Sequence, residues 1–204
     1  MESVINGIET LFTSIRGTAA TRVEKLPQSG SDRIYFRIYE GSKTYIATYN
    51  LNQKETQTFI HFSKHFKTAG LPVPEVLGVN NDDTIYIQED LGTESLLNQI
   101  EKEGHSQHVY ALFQKSLAEL ARMQIKGDEG FNYNWCITAK EFGKQAILSD
   151  LLYFKYYFLD TLQLPYDKQA MLEDFEALST YLTHTQHKYF MFRDFQSRNI
   201  IVNQ

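Results

Sequence analysis

A chain of 204 residues, 42% hydrophobic and 14% aromatic, holds enough apolar material for one sizeable domain or two small lobes with a shared core. Its 20 basic and 25 acidic side chains give a net charge of -5 with no long run of either sign, which excludes an electrostatic footprint for nucleic acid and points to small molecules as partners. The single cysteine, Cys136, rules out an intrachain disulfide; Glu2 stands where a signal peptide would be basic, and no apolar stretch is long enough to span a bilayer, so the expectation is a cytoplasmic protein without a membrane partner.

Apolar residues at Val4, Ile8, Leu11, Phe12 and Ile15 have the three-and-four spacing of a leading helix over 4–16. From Val23 to Asn50 the pattern becomes strand-like: VEKLPQ, the small polar turn SGSD, RIYFRIYE, the turn GSK, then TYIATYN. Segment 52–69 puts Phe59, Phe62 and Phe66 on one helical face and stops at Gly70 with Pro72 behind it. VPEVLGVN and DDTIYIQEDLG supply two more strands around the turn NNDD, and an N-terminal lobe of residues 1–92 ends there.

Residues 93–204 read as mainly helical. Val109, Leu112, Phe113, Leu117, Leu120 and Ala121 outline an amphipathic helix, and 129–137 is a Gly, Asn and aromatic loop. Thr138 with Glu141 forms a capping-box signature for a helix running from Phe142 to Leu162, stopped by Pro165. Asp167 caps the next helix, with a buried stripe of Met171, Phe175, Leu178 and Leu182. KYFMF is expected as a short strand, RDFQSRN as a loop, and IIVN as a second strand.

Asp194 and Asn199, five apart in that loop, have the spacing of a phosphoryl-transfer centre. There an Asp orients and deprotonates the acceptor hydroxyl while an Asn reaches a magnesium ion on the phosphate side, and a short irregular loop can aim both into one cleft. A polar turn capped by the same two side chains is the plain structural alternative.

FRDFQSRNIIV, YIQEDLG and LPQSGSDRIYFRI together resemble the aminoglycoside phosphotransferase and choline kinase family, over nearly the whole chain. Within it the chain is most similar to sugar kinases acting on N-acetylmuramate or N-acetylglucosamine, whose phosphate loop reads close to Ser-x-Arg-x-Tyr-x-Arg, here Ser31, Arg33, Tyr35 and Arg37. The resemblance implies an α+β, protein-kinase-like two-lobe fold: a five-stranded antiparallel N-lobe with one helix, then an incomplete, mainly helical C-lobe. It implies ATP and Mg2+ as cofactors and a sugar or amino sugar as substrate. Ser29, Gly30, Ser31 and Asp32 would lie over the phosphates, backbone groups of Glu89 and Leu91 would bind adenine, Asp194 would be catalytic, and Asn199 would be the metal ligand.

Three departures qualify that implication. TYIATYN lacks the third-strand Lys of many relatives, and neither Thr48 nor Tyr49 can supply a cation, so Arg33 or Arg37 is the best substitute and Glu55 the helix carboxylate to pair with it. Phe192 stands where His normally precedes Arg-Asp. The second acidic motif expected after Asn199 is not in the sequence, which reads as the N-terminal part of a longer kinase, inactive by itself, with a further C-terminal domain absent. A nucleotide-binding pseudokinase or regulatory module is the alternative, and an unstable remnant a third. His61, His65, His105, His108, His184 and His187 form no metal-binding helix motif.

Overall fold

In IYFRIYE, KTYIATY and IYIQE the central positions of one alternating set, Ile34, Phe36 and Ile38, Tyr45 and Ala47, Ile85 and Ile87, are apolar, so pairing these segments builds a sheet with one continuous apolar face. The computed structural model, which describes residues 1–27 and 32–203, shows that sheet: β1 (Arg22–Lys25), β2 (Ile34–Glu40), β3 (Lys43–Tyr49), β4 (Val76–Val79) and β5 (Ile85–Glu89), all antiparallel in the order β1-β2-β3-β5-β4. Phe36, Ile38, Tyr45, Ala47, Ile85 and Ile87 form the apolar face, and α1 (Glu2–Arg16) covers it with Ile8, Leu11 and Phe12. The Phe12 ring meets Tyr45 at 5.3 Å and 60°. Each fully buried side chain of this size contributes on the order of 1.5–3 kcal/mol. Gly78 in β4 allows the close approach of the helix, since a Cβ there would fall 2.5 Å from Ile15 Cδ1.

Helix α2 (Gln53–Thr68) starts at Asn52, whose side chain accepts from the Glu55 N–H at 3.2 Å. Its three phenylalanines share a face as their spacing requires: Phe59 stacks on Tyr86 at 4.8 Å, and Phe62 and Phe66 pack on Phe131 at 4.9 and 5.5 Å. Next come α3 (Leu96–Glu103), which sequence reasoning missed, and α4 (Gln107–Lys126). The signal for α3 is a capping box in which Ser95 and Asn98 satisfy each other's backbone N–H.

The described residues form two compact units, Met1–Phe131 with 192–203, and Asn132–Met191. In the second, α5 (Lys144–Phe154) runs into a π-helical turn at Lys155–Leu159, and α6 (Lys168–Thr183) is capped by the Asp167 carboxylate accepting from Ala170 N–H at 2.8 Å.

The structure corrects four local expectations. Thr138 and Glu141 do not cap α5, which begins after Gly143 without a side-chain cap; Glu141 pairs with Lys188 at 2.6 Å instead. The expected helix to Leu162 leaves α geometry at Lys155, where the Lys155 ammonium bonds Asp160 at 2.7 Å and Tyr166 OH donates to the same carboxylate at 2.8 Å. On α6 the buried side chains are Phe175 and Ser179, one turn apart, while Leu178 and Leu182 are exposed. Finally, neither 188–192 nor 200–203 is a strand; Ile201 bridges Ser95, because the backbone of 200–202 hydrogen-bonds to 94–96.

Candidate active site

Strand alternation divides the sheet's side chains cleanly. Tyr35 lies opposite Thr48, Arg37 opposite Ile46, Thr48 opposite Tyr86 and Ile46 opposite Gln88, so these residues share the face away from α1. Arg33, one residue before β2, continues the alternation onto that face. Its guanidinium lies 3.6 Å from the Glu55 carboxylate, which also accepts from the Asn50 side-chain amide at 2.9 Å. Asn50 is buried and its own carbonyl holds the Asn52 N–H at 2.9 Å, so the start of α2 and its carboxylate are fixed by one side chain. A cation just before β2 thus meets the helix carboxylate, while Lys43 sits exposed at the hairpin end of β3, opposite Glu40.

Tyr86, 2% exposed, lies under this cluster; burial pushes its phenol up to about 12, with the Thr48 hydroxyl and Arg33 guanidinium pulling the other way. Three atoms of the face, Arg33 Nε, Thr48 Oγ1 and Gln88 Oε1, are buried with no hydrogen-bond partner among the described residues. Buried polar atoms are normally satisfied, so an orphan guanidinium donor, hydroxyl and amide acceptor on the same face suit a polar ligand with an anionic part. Arg37 is committed elsewhere: its Nε donates to Asp90 at 2.7 Å.

Of the remaining expected nucleotide contacts, Ser29, Gly30 and Ser31 lie outside the described residues, and Asp32 is exposed at the entry to β2. Glu89 ends β5, with its N–H given to the Glu75 carbonyl at 2.9 Å; its carboxylate is held below the usual range first by the Lys67 ammonium and then by Glu75 N–H. Leu91 lies in the connection between β5 and α3.

The RDFQSRN loop is closed on itself. Asn199 Nδ2 donates to the Asp194 backbone carbonyl at 3.1 Å, Gln196 N–H reaches the same carbonyl at 2.9 Å, and Asn199 N–H bonds the Gln196 carbonyl at 2.8 Å within a 3-10 turn over Ser197–Asn199. The exposed Asp194 carboxylate accepts from Gln196 Nε2 at 2.7 Å. With its amide N–H tied to Asp194, exposed Asn199 keeps a side-chain carbonyl oxygen, a donor of the kind hard cations take. Magnesium keeps several waters and phosphate oxygens, so one protein oxygen of this kind fits it as a co-ligand. No group of three His, Cys, Asp or Glu among the described residues could hold a metal by itself. Phe192, replacing the expected His, packs edge-on against Phe195 at 5.8 Å and 84°.

A five-stranded antiparallel sheet with one helix after its third strand, followed by helices and an Asp-Asn loop, defines a protein-kinase-like phosphotransferase fold. The chain belongs to the phosphotransferase enzyme family known as APH, whose model matches residues 22–204. A solved apo structure of a thermostable mutant of aminoglycoside phosphotransferase APH(4)-Ia is 17% identical with a TM-score of 0.58, aligned over 96% of this chain and 67% of that one. A structure from Haemophilus somnus 129PT, assigned as a fructosamine-3-kinase, is 18% identical with a TM-score of 0.35 over 47% of this chain, and the chain spans 36% of its length. No curated protein matches the chain significantly. No helix among the described residues is long and apolar enough to cross a membrane.

Proposed function

We propose that this chain carries the nucleotide site and catalytic loop of an ATP-dependent phosphotransferase acting on a small-molecule hydroxyl, with a sugar or amino sugar of the N-acetylmuramate or N-acetylglucosamine kind as the acceptor. The single observation carrying this reading is the closed Asp194–Asn199 loop, in which one amide both fixes the turn and frees an oxygen for a cation. ATP, when bound, supplies the γ-phosphoryl group. Asp194 orients the acceptor hydroxyl and takes its proton, and Asn199 offers its oxygen to Mg2+. Arg33, held by Glu55, neutralises phosphate charge, Ser29, Gly30, Ser31 and Asp32 contribute to phosphate binding, and backbone groups of Glu89 and Leu91 hold adenine.

Residues 1–92 are the nucleotide-binding lobe in this proposal and 93–204 part of the acceptor side, in a cytoplasmic protein. Asn199 serves as the metal ligand in this proposal. A nucleotide-binding module without turnover is the second reading, favoured by the pairing of Glu55 with Arg33, just before β2, where TYIATYN has no lysine to offer.

Calorimetric titration of the chain with ATP, with and without magnesium, tests the proposal beside Asn199→Ala. Magnesium-dependent binding that weakens in the variant supports it; a folded chain that binds no nucleotide sinks it. Transfer of labelled phosphate to a panel of sugars and amino sugars, abolished by Asp194→Asn, separates an enzyme from a binding module.

A further inference from the structure

The Arg37–Asp90 pair joins β2 to the connection that leaves β5. Asp90 is 3% exposed at its side chain and Arg37 17%, the lowest exposures of any ion pair among the described residues. Glu24 stands opposite Arg37 in the sheet register, yet Glu24 is taken by Arg22 at 3.0 Å and by Tyr39 OH at 2.8 Å, and Arg37 reaches across to Asp90. A carboxylate this deep is tolerable only when paired, so the contact is held firmly.

Asp90 passes the constraint on. Its Oδ1 accepts the Gly92 N–H at 2.9 Å, and Gly92 has φ 108, which a side chain rarely adopts. Ile201 Cγ2 and Asn203 Oδ1 each lie 3.9 Å from where a Cβ on Gly92 would stand. Two residues further on, Val202 N–H donates to the Glu94 carbonyl and Leu96 N–H to the Ile200 carbonyl, both at 2.8 Å. The segment so anchored follows Asn199 directly.

We propose that Arg37 and Asp90 are positioning residues that register the nucleotide-facing sheet with the Asp194–Asn199 loop, acting through Gly92 and the 94–96/200–202 backbone pairing. This rests on the reading of that loop as the phosphoryl-transfer site. It gives Arg37 an indirect role: the guanidinium sets where the loop sits, and Arg33 is the cation left for phosphate.

The test uses the whole chain with Asp90→Asn, Arg37→Met and Arg37→Lys, and with Arg16→Gln as a control that breaks another ion pair made to β2. Amide hydrogen exchange is read at Leu96 and Val202, and magnesium-ATP affinity by calorimetry. Losing a charge-assisted hydrogen bond should speed exchange at those two amides by about tenfold in Asp90→Asn and Arg37→Met, with less effect in Arg37→Lys, which keeps the charge. Ala47 in the sheet core and all sites in Arg16→Gln should be unchanged. Unaltered exchange at Leu96 and Val202, or an equal rise at Ala47, overturns the proposal. If Asp90→Asn does not fold, Arg37→Met carries the same comparison. A wild type that binds no ATP defeats the functional reading, while the exchange data still decide whether the pair couples the two segments.

Discussion

Asn199 donates its side-chain amide to the backbone carbonyl of Asp194 at 3.1 Å, so the two residues that define the candidate active site are also the two that close its loop. The same bond that gives the turn its shape sets the direction of the remaining amide oxygen. A substitution at Asn199 therefore acts on metal binding and on the Asp194 backbone together.

Asn199→Asp separates these effects from those of Asn199→Ala. The carboxylate keeps an oxygen for the cation and loses the donor to Asp194; alanine loses both. The expected order of magnesium-ATP affinity is wild type, then Asp, then Ala, the last weakened by about tenfold or more, with little change in magnesium-free ATP binding. Calorimetry at matched free magnesium measures it.

Arg33→Met should weaken ATP binding by about tenfold, the size of one charged hydrogen bond. Glu55→Gln should cost less, about two- to threefold, because the Arg33–Glu55 pair is 3.6 Å apart with its side chains 30% and 35% exposed, and a partly solvated pair of this kind contributes only about 0–1 kcal/mol. ADP binding by both variants shows whether the loss follows the β-phosphate.

Tyr86 makes stability sensitive to alkali. Burial favours its neutral phenol and raises the folded value from 10.0 to about 12, so the contribution is fully present below pH 10.0 and is lost as the pH rises through that window. The two-unit difference corresponds to about 3 kcal/mol. Urea unfolding of wild type and Tyr86→Phe at pH 9 and pH 11.5 should show a larger loss for the wild type; equal losses would mean that the phenol is not the titrating group.

Phe12→Ala should destabilise the chain by about 3–5 kcal/mol, since Phe12 is 0% exposed between α1 and the sheet and leaves a cavity against Tyr45. The urea midpoint should fall with an unchanged slope. A large change in slope would instead indicate that α1 unfolds separately.

Much of this protein is written in local patterns. Period-two alternation in IYFRIYE and IYIQE and the phenylalanine spacing of 59, 62 and 66 determine element type and buried face, because each depends only on backbone geometry and side-chain polarity. The Asp194–Asn199 spacing is local too, and a five-residue turn can hardly avoid bringing them together. The pairing of an arginine with Glu55 was legible as a choice between Arg33 and Arg37, and no further. Both arginines alternate onto one face of β2; which meets the helix carboxylate and which meets Asp90 depends on where α2 and the end of β5 lie. That is a tertiary fact. So is the fate of IIVN, whose pattern reads as a strand but whose Val202 N–H and Ile200 carbonyl pair with 94–96, and of Leu178 and Leu182, apolar yet exposed while Ser179 is buried. Sequence period assigns a residue to a face; only the neighbour that packs on that face decides whether it is covered, and with what a charge is paired.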